Sequence, residues 1–277
     1  MNRTKKQKFL QSLRKLPLGW LLSFVIKLGW AAVFGGLMLL AIIVTRYVEL
    51  PWLARADWLF LWAVAVQLVL LLTKLEKPHE VITIFVFHLV GLGMEIFKTS
   101  NTIGSWQYLS VGFFHAGNVP LYSGFMYASV GSFIARAWRV LDLKYTNSPR
   151  KLHSLLLAVA IYINFFTHHY IFDFRWLLLA LMALFYWRCD IHYRINQRQH
   201  HMPFLLSAFL SAFFIWVAEN IGTFTQSWLY PSQEQHWHFV SLQKLSAWLL
   251  LMYISFVLID ILHYLRQKRL AERQQKC

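Results

Sequence analysis

Two glutamates stand near the ends of apolar runs long enough to cross a bilayer, and these are the residues with the most evident capacity for chemistry. In FHLVGLGMEIFKTSNTIGSWQY, residues 87–108, an apolar run carries His88 and ends on Glu95 and Lys98. A polar loop with Ser105, Trp106 and Tyr108 follows, and a second apolar run restarts near Asn118-Val119-Pro120. The same order returns over residues 213–250, with Glu219 and Asn220, then Ser227, Trp228 and Tyr230, then Lys244. An ionisable group inside a membrane segment is costly and marks a functional position by default. His88, Gly91 and Glu95 share a helical face, and Lys98 lies within pairing reach of Glu95. Two readings stand for that pair: an ion pair that fixes helix packing, or a tuned acid or substrate-binding carboxylate. Glu219 has no basic residue within four positions on its own helix. Its expected partner is Asn220, Lys244, a histidine from elsewhere or water, which makes Glu219 the stronger catalytic candidate.

Further polar residues join these at the same depth if the segments alternate in direction. The run NFFTHH supplies Asn164 and His168, four apart and on one face, with His169, Asp173 and Arg175 after them. Histidines beside an aspartate are metal-ligand vocabulary. However, His168 and His169 are adjacent, so on a helix they diverge by about 100° and cannot share one ion without distortion. Interfacial polar histidines are the simpler account, and no metal ligand set is assigned. His115, Asn118, His236 and His238 fall in the two loops beside the glutamates. The candidate site is therefore Glu219 and Glu95 as catalytic groups. The candidate substrate-binding residues are Lys98, Trp106, Tyr108, His115, Asn118, Asn164, His168, Asn220, Trp228, Tyr230 and Lys244. At the opposite face, Asp142, Asp190, His192, Asp260 and His263 mix with many Arg and Lys and read as solvated or headgroup-contacting.

The elements that position these residues are long apolar segments. Of 277 residues 58% are hydrophobic and only 14% charged, against about 45–50% and about 25% in a soluble domain. The excess falls in eight runs: Leu28 to Thr45, Trp58 to Thr73, Val81 to Phe97, Pro120 to Trp138, Leu152 to Phe166, Trp176 to Cys189, Pro203 to Ile221 and Leu245 to Tyr264. Most approach the roughly 20 residues that cross about 30 Å of hydrocarbon. The fifth and sixth form either a tight hairpin or one broken element. The expected fold is an all-α polytopic transmembrane bundle of about eight spans, residues 28–265. A basic amphipathic segment, 1–27, precedes it, with Phe9 to Lys27 lying on the membrane surface. A basic tail, 266–277, follows. No cleavable signal peptide and no separate soluble domain is expected.

Charge distribution orients the bundle. With eight spans and an inner N-terminus, 22 of the 27 Lys and Arg fall in the N-terminal segment, alternate loops and tail on one side. Both termini are then cytoplasmic by the positive-inside rule, as in a multi-pass inner-membrane protein. The net charge of +15 is explained by those loops, and without a basic helix or aromatic–basic module nucleic acid is not expected as a partner. The two cysteines, Cys189 and Cys277, fit no zinc or redox spacing. No Walker loop, dinucleotide fingerprint, nucleophile elbow or HExxH motif is present, so ATP-driven transport and serine or zinc hydrolysis have no support. Nothing names a cofactor or an oligomeric state. The expected partners are the bilayer and an apolar small molecule.

The third–fourth and seventh–eighth segments read as a parallel internal repeat, four helices plus four, each with a Glu, a Ser-Trp-x-Tyr and a returning helix. The strings FHLVGLGMEIFK, GNVPLYSGFMYASVGSFIARAWR, NFFTHH, WVAENIGTF and SWLYP resemble the bacterial integral-membrane family of unknown function numbered 817, over roughly residues 50–264. The resemblance implies location and fold and no mechanism. The repeat is also similar to those of the membrane lycopene-cyclase and carotenoid-hydratase families, in which membrane carboxylates are thought to protonate a polyene. Glu95 and Glu219 would take the acid positions. The cyclases' second acid, after Pro at the next helix start, is absent: Asn118-Val119-Pro120-Leu121 and Gln243-Lys244 stand there. Three functions remain open: a membrane enzyme acting on an isoprenoid-like or lipid substrate, a small-solute carrier, and a structural or assembly protein whose polar groups only hold helices together.

Overall fold

The computed structural model describes residues 19–49 and 51–274. Helices α1 (Gly19–Ala31), α2 (Val33–Tyr47), α3 (Arg55–Leu72), α4 (Pro78–Lys98), α5 (Tyr122–Leu141), α6 (Lys151–Thr167), α7 (Arg175–Tyr186), α8 (Phe204–Phe224) and α9 (Gln243–Gln274) follow one another. Each of the eight apolar runs is thus helical over most of its length. Residues 9–18 of the expected surface helix lie outside the described residues, and Gly19 to Lys27 belong to α1, which packs on α5.

Among the described residues, four helical stretches are long and apolar enough to cross a membrane: Arg55–Leu72, Glu80–Lys98, Phe204–Phe224 and Gln243–Lys268. The pair α1 and α2, bent by 69° at Ala32, makes a fifth if it counts as one span. The other three helices depart from the expected spans for identifiable reasons. Helix α5 is long but carries Ser123, Gly124, Ser132 and Arg136, all buried. It lies at the centre, against α1, α2, α3, α4 and α9. A helix wrapped by its neighbours has little need of an apolar outer face. Helices α6 and α7, of 17 and 12 residues, are about 26 and 18 Å long at 1.5 Å per residue. They form an antiparallel hairpin, not one broken helix: the Ser154 hydroxyl near the start of α6 meets the Tyr186 hydroxyl at the end of α7 at 2.8 Å.

The fold is mostly helical but not wholly so. Strands β1 (His115–Ala116) and β2 (Val119–Pro120) pair across a Gly117-Asn118 turn in which Gly117 has φ +61°. A positive φ at the first turn residue suits glycine and closes a two-residue hairpin. The fourth apolar run therefore becomes helical at Tyr122, not at Pro120. Strands β3 (Lys144–Thr146), β4 (Asp190–Ile195) and β5 (Arg198–Pro203) form an antiparallel sheet in that order at the other end. Asn196 and Gln197, both at positive φ, turn β4 into β5. Here His192 reaches the Thr146 hydroxyl at 3.1 Å, Asp142 faces Arg194 at 3.6 Å and Asp260 pairs with Lys151 at 2.7 Å.

The charges are not confined to loops. Arg136 and Glu76 form an ion pair at 3.0 Å with both side chains 1% exposed. Ser132 and Gln67 donate to the same carboxylate. Arg55 bonds to the carbonyls of Ile42 and Thr225 at 2.7 Å and so ties α2 and α3 to the end of α8.

Candidate functional site

Glu95 is 4% exposed near the end of α4. The following loop folds back over it, so that Trp106 Nε1 and Tyr108 Oη each donate to Oε2 at 2.8 Å. Tyr127, one turn into α5, donates to Oε1 at 2.7 Å. Tyr127 reaches the carboxylate because its ring lies where a Cβ on Gly91 would stand. His88, Gly91 and Glu95 do share one face of α4, the one toward α5, but His88 packs on Gly124 and Phe125 away from the site.

Glu219, also 4% exposed, occupies the matching place on α8. Tyr230 Oη donates to its Oε1 and Trp248 Nε1, on α9, donates to its Oε2. Its expected partners, Asn220, Lys244, a histidine or water, are replaced by these two aromatic donors. An indole N–H can only donate, whereas a tyrosine hydroxyl donates or accepts. Each carboxyl group therefore has Oε2 fixed as an acceptor by a tryptophan. Each can carry a proton on Oε1, with Tyr127 or Tyr230 accepting it. Burial, then the Glu95 charge, pushes the Tyr108 hydroxyl well above its ordinary range, and burial with Glu219 does the same to Tyr230. Both phenols remain protonated at working pH.

The two glutamate clusters adjoin. The Trp106 and Tyr230 rings meet edge to face at 6.2 Å, and Lys244 Nζ sits 4.2 Å from the centre of the Tyr230 ring and 5.8 Å from that of Trp106. The loops that carry them are joined by backbone: Gln107 and Leu229 exchange both N–H···O bonds at 2.9 Å. Trp228 instead fills the space beside Gly222.

Lys98 does not pair with Glu95. Its Nζ turns to His169 Nε2 at 2.8 Å and His168 Nε2 at 3.3 Å. The two adjacent histidines converge because α6 ends at Thr167, which frees His169 from the helical 100° step and lets the rings lie 4.0 Å apart. His168 Nδ1 meets the Asn164 carbonyl at 2.9 Å. A carbonyl can only accept, so Nδ1 holds the proton and Nε2 accepts from Lys98. Partial burial and the Lys98 charge push His169 down to about 4.

A cavity of about 1050 Å³ opens beneath these groups. At one end it is lined by Glu95, Lys98, Trp106, Tyr108, Tyr127, His168, Arg175, Glu219, Trp228, Tyr230, Lys244 and Trp248. Towards the sheet its wall is apolar, with side chains from α1, α2, α5, α8 and α9. Ligand pockets commonly span about 300–1,000 Å³, so this one is large. Four expected site residues lie outside its lining. The Asn164 side chain binds Asp173 and the Phe174 N–H, Asn118 binds Asn101, and Asn220 binds the Val240 N–H, each closing a loop. His115 is exposed and bonds to the Gly117 carbonyl. Sequence reading missed Tyr127 and Trp248. Each is the sixth residue of its helix, and that shared offset was the available signal. Among the described residues no group of three His, Cys, Asp or Glu converges as a metal site would require.

The sequence profile of the family described as "Protein of unknown function (DUF817)" matches residues 20–256. The chain is 40% identical over 248 residues to the uncharacterized protein YoaT of Bacillus subtilis (strain 168), an alignment covering 88% of this chain and 93% of that one. No solved structure matches.

Proposed function

The chain belongs to the DUF817 family, and on that premise we propose that it is a multi-pass inner-membrane enzyme acting on an apolar, isoprenoid-like or lipid, substrate by acid–base chemistry at Glu219 and Glu95. One observation carries the reading: a large apolar cavity ends on two buried carboxyl groups, each with one oxygen pinned by an indole and the other on a tyrosine hydroxyl. Pinning orients the group, and the tyrosine lets Oε1 hold or release a proton without leaving an unpaired polar atom. Two such groups facing one cavity can deliver a proton to one carbon of an alkene and remove one from another, which needs no further reactant. Tyr108 donates to Glu95, and Tyr230 donates to Glu219 once that carboxyl group has lost its proton, which stabilises whichever carboxylate is left charged.

The architecture we propose with it is a parallel repeat of α2–α5 and α6–α9. It is supported by the matching partners of Glu95 and Glu219, by the common helical offset of Tyr127 and Trp248, and by the pairing of Gln107 with Leu229. Those two residues are the third positions of the two Ser-Trp-x-Tyr motifs, and equivalent residues that pair with each other imply a two-fold relation. The proposed topology has eight crossings with both termini cytoplasmic. The short α6–α7 hairpin contributes an even number, so the sidedness does not depend on how deeply it inserts.

The test is mass spectrometry of organic extracts from the purified protein, wild type against Glu219→Gln. A specific isoprenoid or lipid that is enriched on the wild type and altered or trapped on the variant is expected. Bulk phospholipid alone in both samples would remove the enzyme reading and move the question to solute flux.

A further inference from the structure

Two lysines at the mouth of the cavity have no carboxylate within ion-pair distance among the described residues. Lys98 is 5% exposed, and its hydrogen-bond partners are two histidine nitrogens. An ammonium has three N–H donors, so one is left over. The Lys244 ammonium makes no hydrogen bond to a described residue and rests on the faces of Tyr230 and Trp106. Neither lysine forms an ion pair among the described residues, whereas Arg175 beside them pairs with Asp173 at 3.1 Å. Glu219 and Asp173 act on Lys244 and Lys98 only from beyond ion-pair distance, so an anion seated between the two ammonium groups would make contacts that the protein leaves unmade.

We propose that the cavity takes an amphiphile with an anionic head, phosphate or carboxylate, whose head lies between Lys98 and Lys244 and whose apolar chain runs toward the sheet end. The inference rests on the reading of the cavity as an apolar-substrate site and adds the class of substrate. Spacing along the helices supports the order. Lys98 is one turn beyond Glu95 on α4, and Lys244 one turn before Trp248, the partner of Glu219, on α9. The cations are therefore at the rim and the carboxyl groups are one turn deeper, beside the first part of the chain. On α9 the lining extends from Lys244 to Phe256, about 18 Å of helix at 1.5 Å per residue, which suits a long linear chain.

The experiment measures binding of geranylgeranyl monophosphate, geranylgeraniol and inorganic phosphate to the full-length protein in an uncharged detergent, by calorimetry. The phosphorylated chain is expected to bind about ten- to a hundredfold more tightly than the alcohol, the worth of one charged hydrogen bond, and inorganic phosphate is expected not to displace it. Lys244→Gln, at a half-buried position, and Lys98→Gln are each expected to shrink that ratio toward one. Lys98→Arg should restore it, which separates charge from packing. Equal affinity for the phosphate and the alcohol, or a ratio unchanged in both glutamine variants, overturns the anionic-head proposal but leaves the apolar-substrate reading intact. Binding of neither chain to folded protein removes both. Displacement by inorganic phosphate alone would make this a free-phosphate site and overturn the amphiphile.

Discussion

Each glutamate at the site is held by side chains and not by a cation, and this sets what single substitutions should do. Tyr230→Phe removes the only partner of Glu219 Oε1 among the described residues. A buried acceptor left bare costs about 1–3 kcal/mol, so thermal unfolding in detergent should shift down and conversion of the bound substrate should fall. At Glu76 the opposite arrangement holds, since the carboxylate is paired with Arg136 at 3.0 Å. Arg136→Gln is expected to cost about 3–5 kcal/mol by stranding a buried charge. The double variant with Glu76→Gln should cost less than the sum of the singles, and a double-mutant cycle by chemical denaturation measures the difference. His169 gives a pH dependence with a definite sign. Its ordinary value is 6.5 and its folded value about 4, so between these the unfolded chain holds more protons. Stability then rises with pH and is lost as pH falls from about 6.5 toward 4. His169→Asn should flatten that part of a melting-temperature profile, and an unchanged slope would assign it to another group.

Helix α5 is the element on which α1, α2, α3, α4 and α9 converge, and its seam with α4 depends on small residues. A Cβ at Gly91 would collide with the Tyr127 ring, whereas nothing stands within 4 Å of the same atom at Gly93, two residues on. Gly91→Ala should therefore displace Tyr127 from Glu95 and cost about 1–3 kcal/mol, the usual penalty of overpacking. Gly93→Ala should be neutral or slightly stabilising, because alanine is the better helix former. Melting temperatures of the two variants, with the extract assay on each, check both halves. The loop between α4 and α5 is held by a comparable close approach. Gly112, at φ +72°, leaves room for Asp57, whose Oδ1 accepts from the N–H groups of Phe113 and Phe114 at 2.7 and 2.9 Å. Only glycine combines that backbone angle with that space.

Sidedness and the proposed symmetry are properties of the whole molecule. Single cysteines at positions 115 and 236, in the loops beside the glutamates, are expected to react with an impermeant maleimide added from outside intact spheroplasts. Labelling only after permeabilisation would invert the topology and put the 22-residue basic majority on the outer side. The proposed symmetry has a consequence for the site. Because the two halves each bring one carboxyl group to one cavity, neither half is expected to bind substrate alone, and co-expressed halves should regain binding only together.

Much of this was legible along the chain. Apolar runs near membrane length made all eight segments recognisable, because the hydrophobic pattern needed to face lipid is a local property. The repeated order of Glu, Trp and Tyr was legible as a motif, but the partners were not: Lys98 was expected on Glu95, and Asn220, Lys244, a histidine or water on Glu219, where the aromatic donors stand. Three things were decided only in the folded molecule. Lys98 abandons Glu95 for the histidines because α6 ends beside it, a contact 70 residues away in sequence. Nothing along the chain pairs Arg136, inside the fourth apolar run, with Glu76, between the second and third, yet the two meet fully buried because α5 is enclosed by other helices. The sheet of β3, β4 and β5 is short, rich in His and Arg, and turns on Asn196-Gln197 without the glycine that usually marks such a hairpin. The sequence by itself determined which segments are helical and which residues are costly to bury. Tertiary structure decided which buried group faces which, because that depends on where each helix ends and what lies across the gap.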